Sequence, residues 1–139
     1  MAESRTIERN GVRLAVYIPA DAGKQGLTFF SLDEDYVQCG IWRYGAGKEL
    51  QPHIHNDLKR EALRTQEVVF VRKGSVLAHI YDEAGELVEK VTLKPFDTLI
   101  LLRGGHGYRI LEDGTSVLEV KNGPYAGAEA DRKRIAWKE

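Results

Sequence analysis

Apolar and polar residues alternate along much of this chain in short runs separated by turn-forming residues. "VRLAVYI" at residues 12–18 and "LTFFSL" at 27–32 are rich in β-branched and aromatic side chains and flank the turn-prone "PADAGKQG". "YVQCGIWRY" (36–44) alternates in places and is ended by "GAG". "QPHIH" (51–55) reads as a short strand, and "QEVVFVRKG" as a strong one that stops at Gly74. "SVLAHIYD" and "LVEKVTL" are joined by "EAGE", where Gly85 suits a hairpin position with φ > 0. "DTLILLR" has the apolar run of a buried strand; "GGHGYRIL" follows, and "EDGT" marks a further turn before "SVLEVKN". Strands recurring every 8–12 residues or so predict an all-β sandwich or barrel.

Helical signals are sparse. "NDLKREALR" (56–64) opens with Asn and Asp and carries Leu58 and Ala62 four residues apart, so it predicts a helical turn or a charged loop. "GAEADRKRIAWKE" (127–139) predicts one last helical turn, and its charge run Arg132, Lys133 and Arg134 predicts a solvated end.

Composition narrows the class. A chain of 139 residues suits one domain with one core. Its 20 basic and 21 acidic residues give a formal net charge of −1, which offers no electrostatic footprint for nucleic acid or for a membrane surface. The polar N-terminus lacks the apolar core of a secretory signal, and the longest aliphatic run, 99–102, is far shorter than a membrane span. Cys39 is the only cysteine, so no internal disulfide forms; a reducing, cytoplasmic setting is the expectation.

Candidate chemistry centres on histidine. Two of the four histidines, His53 and His55, stand two residues apart. On an extended strand they point to one face, where two imidazoles suit a metal ion; two solvated loop histidines are the alternative. Glu67 heads a β-rich run although Glu is a poor strand former, and alternation groups it with Val69 and Val71. If that face is interior, Glu67 is a buried carboxylate in need of a cation. His106, set among glycines in "RGGHGYRI", shares a strand face with Tyr108 and Ile110. His79 falls on the face opposite to Val76, Ala78 and Ile80, with Leu77 and Tyr81, and stays outside the set. His53, His55, Glu67 and His106 together make three nitrogens and one oxygen, a donor set for one divalent transition metal such as Zn, Ni, Fe or Mn.

These residues carry a likeness. Gly47, five residues, His53-Ile54-His55, then Glu67, six residues and Gly74 resemble the first motif of the cupin superfamily. His106 falls where that family's second motif places a metal-binding histidine. The resemblance implies a double-stranded β-helix, a jelly-roll barrel, with its core over about residues 12–120, a tail over 121–139 and a short helical turn or two, all in one domain. Two features depart from the family pattern. Eleven residues separate His55 from Glu67 where three or four are usual, which implies a bulge at the barrel mouth. "PFD" and "RGGHG" stand where the second motif has Gly-Asp and Pro-x-Gly. The run "RTQEVVFV … GGHG … LEVKNGPYAG" is similar to small single-domain cupin metalloproteins, some associated with surface-polysaccharide or nucleotide-sugar metabolism.

Three functions follow from this reading. One is a metal-dependent enzyme, a dioxygenase or isomerase, acting on a small polar metabolite such as a sugar derivative or organic acid. Another is a metal-independent nucleotide-sugar isomerase or epimerase, with His55, Tyr108 and Arg109 moving protons. The third is a non-catalytic module for a small ligand. Tyr108 is the candidate proton donor. Arg60, Arg64 and Arg109 are candidates to bind an anionic substrate, and Arg43, Tyr44 and Lys121 could line the same end. Trp42 reads as core packing. A homodimer through the apolar run 27–32 is the expected assembly, with a small molecule and neither nucleic acid nor membrane as partner.

Overall fold

The computed structural model describes residues 2–139. Its regular structure is β1 (Arg5–Arg9), β2 (Val12–Ile18), β3 (Gly26–Phe29), β4 (Gly40–Arg43), β5 (Glu67–Lys73), β6 (Val76–Tyr81), β7 (Leu87–Leu93), β8 (Thr98–Leu101), β9 (Gly105–Ile110), β10 (Ser116–Lys121) and the single turn α1 (Ala128–Asp131). All strand pairings are antiparallel. They build a five-stranded sheet in the order β1-β2-β8-β5-β10, a three-stranded sheet β7-β6-β9 and the small ribbon β3-β4.

The main core lies between the two larger sheets. Leu14, Val69, Val71, Leu99 and Leu101 from one sheet meet Val76, Ala78, Ile80, Val91 and Leu93 from the other, all buried. A second core covers the far face of the five-stranded sheet. There Val16, Ile18, Ile100 and Leu102 pack under Phe30, Cys39 and Ile41, from the ribbon and the residues beside it. The run "TLILL" is therefore apolar throughout because β8 is buried on both faces, alternate residues feeding alternate cores. Asp97 fastens the entry to β8. Its carboxylate accepts hydrogen bonds from Tyr17 Oη at 3.0 Å, Ala20 N at 2.9 Å and Lys94 N at 2.9 Å.

Most strands fall where the alternation predicts them, β2 and β7 at the expected bounds. β1 is an addition. Its sequence "RTIER" buries only Ile7, and its register with β2 makes it a strand. Gly74 and Gly85 have φ of 80° and 84°, as turn positions that favour glycine should.

One local expectation is corrected and one alternative is decided. Residues 51–55 form no strand, and residues 56–64 are the charged loop and not the helical turn; all of 44–66 lacks regular structure, and 44–63 is exposed throughout. A strand needs a partner for its backbone groups, and this segment pairs with none. The helical pattern fails for a related reason: Leu58 is 65% exposed, so no apolar face is buried, and a helix this short does not stand alone in water. The turn expected in the tail is present as α1.

β1 lies beside β7, joined by the Arg5–Glu89 ion pair, which closes one side of the sheet pair. The opposite edges, β9 and β10, have no further strand on their outer sides among the described residues. The fold is thus antiparallel and nearly all-β, open along β9 and β10, with no closed barrel. No helix among the described residues is long and apolar enough to cross a membrane.

Candidate functional site beside the open edge

The inner faces of β5, β9 and β10 converge where the two sheets part. Glu67, the first residue of β5, pairs with Leu101 on one side and Lys121 on the other. Alternation then buries Glu67, Val69 and Val71 together, as the pattern predicted. On β9, His106 and Tyr108 stand opposite the core residues Ile80 and Ala78, so both point inward. On β10, Glu119 pairs with Val69 and so shares the face of Glu67 and Lys121.

Glu67 and His106 meet across the sheets. His106 Nε2 lies 3.2 Å from Glu67 Oε2, and Lys121 Nζ lies 3.8 Å from Glu67 Oε1. The first contact has ion-pair distance without hydrogen-bond alignment, which leaves the buried Oε2 with no directed donor among the described residues. The His106 contact, with a smaller pull from Lys121, holds the Glu67 carboxyl below its ordinary value against the opposing effect of burial. Tyr108 stacks at a tilt against His106, ring centroids 5.5 Å apart. Its hydroxyl is buried with no partner among the described residues, and burial, reinforced by the negative charges of Glu67 and Glu119, pushes its pKa up. Tyr108 is therefore neutral at physiological pH.

The other candidates lie elsewhere. His53 and His55 stand on the exposed segment with ring centroids 4.9 Å apart, and His53 Nδ1 approaches Gln51 O at 3.1 Å. They do not join Glu67 and His106: among the described residues no three His, Cys, Asp or Glu side chains converge as metal ligands. Arg60 is exposed on the same segment. Arg64 donates to Tyr36 Oη at 3.2 Å and stacks on that ring. Arg109 falls on the outer face of β9, by alternation with Tyr108, where it pairs with Glu139. Arg43 donates to Ala22 O, and Tyr44 is exposed near Lys48. Trp42, expected in the core, is 65% exposed on the outer face of the ribbon, because Ile41 takes the inward position. His79 is buried on the outer face of β6, as alternation placed it.

Against protein-family models, curated proteins and solved structures, the chain finds no match. A carboxylate and an imidazole at 3.2 Å, with a buried tyrosine hydroxyl and an ammonium alongside, can share protons, hold an anion, or supply two donors to a cation. Glu119 escaped the sequence reading. Its signal was the alternation of β10, which is decisive only once the register with β5 is known.

Proposed function

We propose that this chain is a small metal-binding protein of the cupin type, which binds or acts on a small polar metabolite at a mononuclear site. One observation carries the reading: the buried Glu67 Oε2 lacks a directed donor among the described residues and faces an imidazole nitrogen 3.2 Å away. That is half of a four-ligand donor set, one carboxylate and one histidine. His53 and His55 would supply the other half. They lie on the segment that runs directly into Glu67, and that segment has two open strand edges, β9 and β10, to pair with. Such pairing would complete the double-stranded β-helix. A divalent ion held there supplies Lewis acidity towards a substrate oxygen. Tyr108 presents a neutral hydroxyl, Lys121 attracts an anionic group, and the exposed Ile110 offers aliphatic surface. A sugar derivative or small organic acid fits that mixture.

The test is elemental analysis of protein purified without added metal, followed by Zn²⁺ and Mn²⁺ titration of the protein and of His53→Ala, Glu67→Gln and His106→Ala. One ion per chain, weakened in each variant, is expected. Absence of binding in the unaltered protein would remove the metal reading. A second reading then stands on the Tyr108 hydroxyl, which has no partner among the described residues: metal-free proton transfer on a nucleotide sugar, with Glu67 and His106 as base and Tyr108 as acid. Turnover by chelator-treated protein would select it.

The assembly we propose is a homodimer. Leu27, Phe29 and Trp42 share the exposed outer face of the β3–β4 ribbon. Sedimentation of Trp42→Glu should give a monomer where the unaltered chain gives a dimer. A reducing, cytoplasmic setting suits the single thiol, Cys39.

A further inference from the structure

The outer face of β9 carries a feature that the inner site does not use. Gly105 and Gly107 alternate with His106 and Tyr108, so their missing side chains leave two notches on the outer face. Residues 135–139 fill them. A Cβ on Gly105 would stand 2.6 Å from Ile135 Cδ1, and one on Gly107 would stand 2.6 Å from Trp137 Cζ3. Neither glycine has positive φ, so a side chain here would meet crowding by residues 135–139 and not backbone strain.

The filling segment is held by specific contacts. The Trp137 ring lies over the fully buried His79, centroids 4.4 Å apart, and the Arg109 guanidinium stacks 5.3 Å from the Trp137 ring. Trp137 Nε1 donates to Glu139 Oε1 at 2.7 Å, and Glu139 pairs with Arg109. Lys138 N donates to Tyr81 Oη at 3.1 Å, and that hydroxyl donates back to Lys138 O at 3.3 Å. Four of these partners, His79, Tyr81, Gly107 and Arg109, belong to β6 and β9.

β9 needs such support. It is an edge strand, hydrogen-bonded to β6 on one side only, and its glycines lower its stiffness. We propose that residues 135–139 form an outer clamp on β9, with Trp137 as a positioning residue that fixes His106 and Tyr108 on the opposite face. The proposal rests on reading those two residues as part of the site. Trp137 acts on them through the strand between and makes no contact with substrate.

The test combines a stability cycle with a local probe. Gly107→Ala, Trp137→Ala and their double variant are compared by thermal melting, with Trp137→Phe as the conservative control. The His106 ring resonances are followed by ¹H–¹³C NMR at fixed pH, and Zn²⁺ affinity by competition titration. Gly107→Ala should lower Tm, or prevent folding, in the parent chain and cost little more once Trp137→Ala has made room. The His106 resonances should move in Trp137→Ala while those of His53 and His55 stay, and Trp137→Phe should restore them. Zn²⁺ affinity should fall on the order of tenfold in Trp137→Ala, the low end for loss of a supporting contact. Additive losses in the double variant, or unmoved His106 resonances, would overturn the clamp. Absence of Zn²⁺ binding in the parent chain would overturn the metal reading alone, since the cycle and the His106 resonances still decide the clamp.

Discussion

Glu67 on the five-stranded sheet and His106 on the three-stranded sheet face each other with Oε2 and Nε2 3.2 Å apart. The two residues are far apart in sequence and belong to different sheets. Their contact therefore reports the packing of one sheet on the other, not a local turn. It also has an electrostatic consequence.

Because His106 and Lys121 hold the Glu67 carboxyl low, the unfolded chain takes up its proton before the folded chain does. The corresponding stability is present above the ordinary glutamate value, about 4.3, and is lost as pH falls through the lower folded value. Glu67→Gln should flatten the acid limb of the Tm-against-pH curve as pH falls below about 5. An unchanged acid limb would mean that Glu67 feels no such field.

Asp97 offers a test of the fold apart from the site. Its carboxylate is buried and accepts from one hydroxyl and two backbone amides. Asp97→Ala strands those donors and should cost on the order of 3 kcal/mol, read as a lower urea midpoint with unchanged m value. Tyr17→Phe removes one donor along with its bond and should cost only about 1 kcal/mol.

The exposed segment makes a kinetic prediction. Lys48, Lys59 and Arg60 lie in an exposed segment outside regular structure, whereas Arg72 and Lys90 lie in strands. Trypsin should cut first at the former three. If the segment pairs with β9 and β10 when metal is present, Zn²⁺ should slow cutting at Lys59 and Arg60, and His106→Ala should abolish that protection. Equal cutting rates with and without Zn²⁺ would argue against closure.

Much of this architecture was legible in the chain itself. Period-two alternation placed Glu67 with Val69 and Val71, set His106 beside Tyr108, and turned His79 to the other face, because successive residues of any strand must alternate. Glycines with positive φ marked the turns after β5 and between β6 and β7. What alternation cannot supply is the partner. It could not reveal that the charged "RTIER" becomes a strand by pairing with β2, or that "QPHIH" fails to become one because it pairs with nothing. Nor could it show that Trp42 faces solvent while Trp137, in an apparently solvated tail, fills a notch beside Gly107. Local pattern assigns each side chain to one of two faces; which face is buried, and against what, depends on pairings between residues distant in sequence. The sequence grouped Glu67 and His106 with His53 and His55; the packing of the two sheets brought only Glu67 and His106 together.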